Sequence, residues 1–171
     1  MADIEKMEPW LRGTFADLPC VHRAVLHALQ LAEKDLQQWC AGLTEAEFNA
    51  RPAGIAPVAF HVRHIARSVD RLLTYAEGQE LREEQMASLR MEMAECGAPE
   101  QELAELRSAL EKAASRVRAL MGQDLEATRT VGRELLPTTL GGLLVHLAEH
   151  TQRHVGQAIT TAKVVRAGRK A

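Results

Sequence analysis

Apolar residues recur three and four positions apart along four long stretches of the chain, and that spacing, close to the 3.6-residue turn, predicts four amphipathic helices. The first covers about residues 17–41, with Val21, Val25, Ala28, Ala32, Leu36 and Trp39 on one face, Asp17 as N-cap and Gly42 as stop. The second, about 57–78, carries Val58, His61, Val62, Ile65, Val69, Leu72, Leu73 and Ala76. The third, about 99–121, alternates Leu103, Leu106, Leu110, Ala113, Val117 and Leu120. The fourth, about 139–165, starts at a Thr138 or Thr139 cap and shows Leu140, Leu143, Leu144, Leu147, Ala158, Ala162 and Val165. Between the second and third helices, residues 79–95 are highly charged, with Met86, Leu89 and Met93 as a thin apolar stripe that predicts a packed helical crossover. Thr44 and Glu47 form a capping-box pattern opening a brief helical piece, and residues 122–137 read as polar and irregular. No strand-like alternation and no Asn-Gly or Asp-Gly turn stands out. The predicted fold is therefore all-α, a four-helix bundle forming one domain over residues 1–171, with a long crossover between helices two and three.

At 171 residues and 46% apolar content the chain can bury a full core without a disulfide or metal staple, so a bound ion would serve chemistry rather than folding. Its 21 basic and 23 acidic residues are interspersed and leave a formal net charge of −2, which gives no electrostatic footprint for nucleic acid. The three cysteines, Cys20, Cys40 and Cys96, are odd in number and widely spaced, as expected of reduced thiols in a cytoplasmic protein. Charges interrupt the N-terminal stretch where a signal peptide carries its apolar core, and no run approaches a membrane span, so a membrane partner is not expected.

Candidate chemistry concentrates in Leu143 to Gln157, where His146, His150 and His154 recur every four residues on one helix. With Leu147 as reference, His154 and His150 fall at about −20° and −60°, inside the apolar stripe, whereas His146 lies near −100° at its edge. Two imidazoles under-coordinate a divalent ion, so a third ligand is expected from a facing helix, and helix two offers His61 and His64. Helical phase alone favours His61, at about −40° from Ile65, over His64 at about −100°.

The segments FHVRHIARSVDRLLTY and LLVHLAEHTQRHVGQ together resemble the DinB/YfiT-like family of bacterial four-helix-bundle proteins. In that family one histidine on the second helix, followed by an apolar residue, Ala and then an acid, joins an HxxxH pair on the last helix to form a divalent-metal triad. The resemblance maps the metal ligands to His64, His150 and His154, with His61 and His146 as an alternative set or as supporting partners. It implies zinc or nickel as cofactor, a homodimer, and a metal-dependent activity, first of all thiol-dependent S-transfer in which a low-molecular-weight thiol or water is activated for attack on a small-molecule substrate. Gln157 is the candidate for a catalytic contact. Val155 stands where many relatives carry Arg. The rival reading is a non-catalytic bundle that binds metal or a small ligand in a stress response.

The remaining polar residues carry plainer expectations. His22 and His27 read as hydrogen-bonded core histidines and Glu149 as a solvated charge. Asp70 reads either as an acid near the metal or as a partner for Arg67 or Arg71 on its own helix, and Arg51, Arg63 and Arg67 as an ordinary solvated face.

Overall fold

The computed structural model describes Ile4 and residues 7–94 and 96–170. A single 3₁₀ turn, Pro9–Leu11, precedes α1 (Cys20–Cys40), α2 (Glu45–Phe48), α3 (Val58–Ala76), α4 (Glu83–Arg90) and α5 (Pro99–Ala119); a hairpin of β1 (Thr128–Val131) and β2 (Leu136–Thr139) then feeds α6 (Leu140–Ala167). The four long helices pack as a ring in the order α1, α6, α3, α5, so the consecutive long helices α1 and α3 lie diagonally opposite each other. Their apolar stripes meet in one core, in which Leu36, Phe48, Val62, Ile65, Leu73, Leu140 and Leu144 are fully buried. The fold is a four-helix bundle, and α6 is clasped between α1 on one side and α3 on the other. No helix among the described residues is long and apolar enough to cross a membrane.

Three expectations are corrected. Helix one begins at Cys20 with Pro19 at the N-cap position, not at Asp17, because Gly13 and Phe15 adopt left-handed backbone (φ 67° and 60°) and hold residues 12–17 in turns. Residues 122–137 are not irregular: β1 and β2 pair antiparallel, with Thr128 opposite Thr139 and Val131 opposite Leu136. Four-residue strands are too short to show alternation, Pro137 sits inside one of them, and the reversal uses left-handed Gly132 and Leu135 (φ 74° and 50°) in place of a two-residue Asn-Gly turn. The ribbon fixes the start of α6, since Thr139 ends β2 and also caps the helix by accepting from Gly142 N–H at 3.1 Å. The crossover, finally, is helical only over Glu83–Arg90, and its stripe does not pack: Leu89 and Met93 are 44% and 46% exposed, whereas the residues it buries are Gln85 and Glu92.

Candidate metal centre

α3 and α6 cross where their histidines lie. One turn of α6 separates His150 from His154, and their ring centroids stand 4.6 Å apart. Across the interface, His64 Nε2 lies 3.3 Å from His150 Nε2, and the His64 ring is 4.3 Å from that of His154. His64, His150 and His154 each offer one nitrogen to a common point, the three atoms lying within 4.8 Å of one another. His61, one turn earlier on α3, is more deeply buried at 4% exposure, and its Nδ1 sits 3.0 Å from His154 Nδ1. His146 stays at the rim, half-exposed and 3.2 Å from Glu149. Phe60 stacks on the His64 ring at 5.2 Å and meets His154 edge-on at 6.1 Å, forming an apolar wall beside the cluster. Gln157 is exposed one turn beyond His154.

His64 is anchored by a residue absent from the sequence reading. Glu92 Oε2 lies 2.6 Å from His64 Nδ1, while its Oε1 accepts from Arg71 Nη1 at 2.7 Å, and the carboxylate is 4% exposed. Glu92 follows α4 in a non-helical turn, and arginines from α3 and the preceding loop grip that turn and the end of α4 by their carbonyls. Arg67 donates to Ser88 O at 2.8 Å, Arg63 to Met91 O and Ala94 O at 3.2 and 2.8 Å, and Arg51 to Met93 O at 3.1 Å. These three arginines thus form a clamp: Arg51 remains exposed, whereas Arg63 is 8% exposed, with a further bidentate pairing to Glu102, and is no solvated charge. Asp70 is likewise spoken for elsewhere: it accepts from Arg116, Arg82 and Gln85 rather than from Arg67 or Arg71, and makes no contact with the histidines. Of the two core histidines, His27 meets Thr14 Oγ1 at 3.1 Å, but both ring nitrogens of His22 are buried without a partner among the described residues.

The donor set suits a divalent cation. Burial first, then the positive charge its neighbours would carry, pushes His61, His150 and His154 each down to about 4, so all three are neutral at pH 7 with lone pairs available. Burial raises the Glu92 carboxyl, but its bonds to His64 and Arg71 prevail and hold it below the usual carboxylate range. An ionised Glu92 accepts the Nδ1 proton of His64 and leaves Nε2 bare, the tautomer a metal ligand needs. His150 Nδ1 is buried without a partner among the described residues, while Nε2 faces His64. Tetrahedral ligands bound at roughly 2.0–2.1 Å stand about 3.3 Å apart, and the His64 to His150 separation is 3.3 Å.

The same shifts set a pH dependence for the metal-free chain. Because the folded-state values lie below the ordinary imidazole value of 6.5, the unfolded chain takes up protons first as pH falls, and folding free energy is lost between about 6.5 and 4. The melting temperature in chelator is expected to drop through this window, and to drop less in His154→Ala. A variant that tracks the parent at every pH would contradict the assignment.

The bundle's diagonal helix order thus brings three imidazoles from two helices to one point, a donor set that could hold a divalent ion. Residues 28–158 match the model of the DinB superfamily, and the chain belongs to that superfamily. No curated protein matches the chain. Among solved structures it is similar to YfiT from Bacillus subtilis, described as a probable metal-dependent hydrolase with an unusual four-helix bundle topology, at a TM-score of 0.63 and 19% identity over 86% of this chain and 87% of that one. At that identity the likeness is one of fold.

Proposed function

We propose that the protein is a divalent-metal enzyme, with zinc or nickel held by His64, His150 and His154, that activates a low-molecular-weight thiol for transfer to a small electrophile. The observation that carries the metal reading is the approach of three nitrogens from two helices to within 4.8 Å, with a buried carboxylate behind one of them. A divalent ion held by these three residues would supply Lewis acidity, lowering the pKa of a thiol or water. The chain's own groups do the remainder: Glu92 fixes the tautomer and ring orientation of His64, Phe60 shields one side of the cluster from water, and His61 shares a proton with His154 through the 3.0 Å Nδ1 contact. The thiol rests on the family resemblance. Hydrolysis is the second reading, favoured by the description attached to YfiT.

The test is metal content and turnover of protein prepared without a metal-affinity step. Stoichiometric zinc or nickel, together with loss of an activated electrophile only when a small thiol is added, is the expected outcome. Thiol-independent turnover would move the assignment to hydrolysis, and metal without turnover to the non-catalytic bundle. Absence of a divalent ion, with no gain in melting temperature on adding zinc or nickel, would overturn the metal reading itself.

A further inference from the structure

On the other side of α6 from the histidines, a cavity of about 470 Å³ opens between the N-terminal lead and α1, lined among others by Trp10, Arg23, Ala24, His27, Ala28 and Gln152. Gln152 lies two residues, about 200° of helical rotation, from both His150 and His154, and it donates to Ala28 O of α1 at 2.8 Å. The cavity is therefore separate from the metal centre. Its α1 wall is one continuous helix face, residues 20, 23, 24, 27, 28 and 31, and the volume falls within the roughly 300–1,000 Å³ range of small-molecule sites.

Two features define what such a site takes. Among the described residues no acidic side chain lines the cavity, and the guanidinium of Arg23, half-buried at its edge, has no hydrogen-bond or ion-pair partner. Arg63, Arg71 and Arg116, on the α3 and α5 side of the bundle, are each engaged by a carboxylate. An unpaired guanidinium beside an otherwise apolar hollow is matched by one anionic group on an apolar body. The second feature is Trp10, a large aromatic left 61% exposed although it lines the cavity; its Nε1 donates to Glu8 at 2.7 Å, so its position is fixed without any apolar cover. His27, 8% exposed and paired with Thr14, adds a fixed polar atom to the wall.

We propose that this cavity binds a small apolar monoanion, an aryl or short acyl carboxylate, with the carboxylate on Arg23 and the apolar body against Trp10, Ala24 and Ala28. The probe is 3-phenylpropionate, with 3-phenylpropanamide as its neutral isostere, followed by Trp10 fluorescence in a Trp39→Phe background. Saturable binding is expected, with the acid about tenfold tighter than the amide, as one charge-assisted contact provides. Arg23→Met should abolish that preference while keeping the binding of the amide, and Ala24→Phe, which fills the hollow, should weaken both. His150→Ala/His154→Ala should bind the acid as the parent does, so this result stands or falls independently of the metal centre. No saturable response, equal affinity for acid and amide, a preference that survives Arg23→Met, or loss of acid binding in the histidine double variant would each overturn the proposal.

Discussion

Alanine at His64, His150 or His154 is expected to remove bound divalent metal, each change costing more than about 100-fold in affinity. The scale follows from chemistry at one remove: losing a partner that merely orients a ligand already costs 10- to 100-fold, and losing the ligand itself leaves two imidazoles where at least three are needed. His61→Ala is the informative contrast. Its ring touches the cluster only through His154 Nδ1, at 3.0 Å, so its removal should weaken metal binding about tenfold while retaining stoichiometric occupancy. His146→Ala, at the exposed rim, should leave affinity unchanged. Competition titrations against a chromophoric chelator, with melting curves to confirm folding, report all five variants. Loss of metal in His61→Ala with retention in His64→Ala would exchange the roles of the two α3 histidines, and full retention in all three primary variants would remove the centre altogether.

That contrast also shows where sequence reasoning stopped. The 3.6-residue periodicity locates α1, α3, α5 and α6 to within a few residues, because each buries one apolar stripe and stripes are a local property of the chain. The same phase separates His150 and His154 from His146, since all three share one helix and one reference face. It cannot choose between His61 and His64. Phase predicts burial, and His61 is indeed the more buried, but approach to His150 depends on where α6 crosses α3, which is a property of two helices together. Only the family motif pointed to His64 in the sequence.

The missed residues fail for the same reason in sharper form. Glu92 lies in a non-periodic turn among Met91, Met93 and several exposed carboxylates, and nothing local sets it apart; its only signal is an acid between two methionines. Asp70 reads as a partner for Arg67 or Arg71 because neighbours on one helix are the default pairing. Arg71 instead bonds Glu92, 21 residues away, Arg67 reaches Ser88 O over the same span, and Arg51 reaches 42 residues to Met93 O. The charged composition of residues 79–95, whose thin apolar stripe predicts a packed helical crossover, is instead what lets that segment be held by arginines and carry a carboxylate inward. The β1–β2 hairpin escaped because two four-residue strands with a proline leave no period to detect.

Glu92→Ala should then be the most damaging single change outside the ligands. It removes the acceptor that fixes the His64 tautomer, and it strands Arg71, whose side chain is 11% exposed and has its ion pair in Glu92. Breaking one side of a buried pair costs about 3–5 kcal/mol, and the residual exposure of Arg71 places the expected loss near the lower end. Metal affinity should fall a further 10- to 100-fold as His64 loses its orienting partner. Glu92→Gln separates the two effects: the amide oxygen can still accept from His64 Nδ1–H, so affinity recovers in part, while the uncompensated Arg71 charge keeps stability low. Adding Arg71→Met to Glu92→Gln removes that charge and should restore most of the stability without changing metal affinity. Urea denaturation of the metal-free variants, set beside metal titrations of the same proteins, resolves the two quantities. If Glu92→Ala melted and bound metal as the parent does, the 2.6 and 2.7 Å contacts would be incidental, and orientation of His64 would have to come from Phe60 and the helix packing alone.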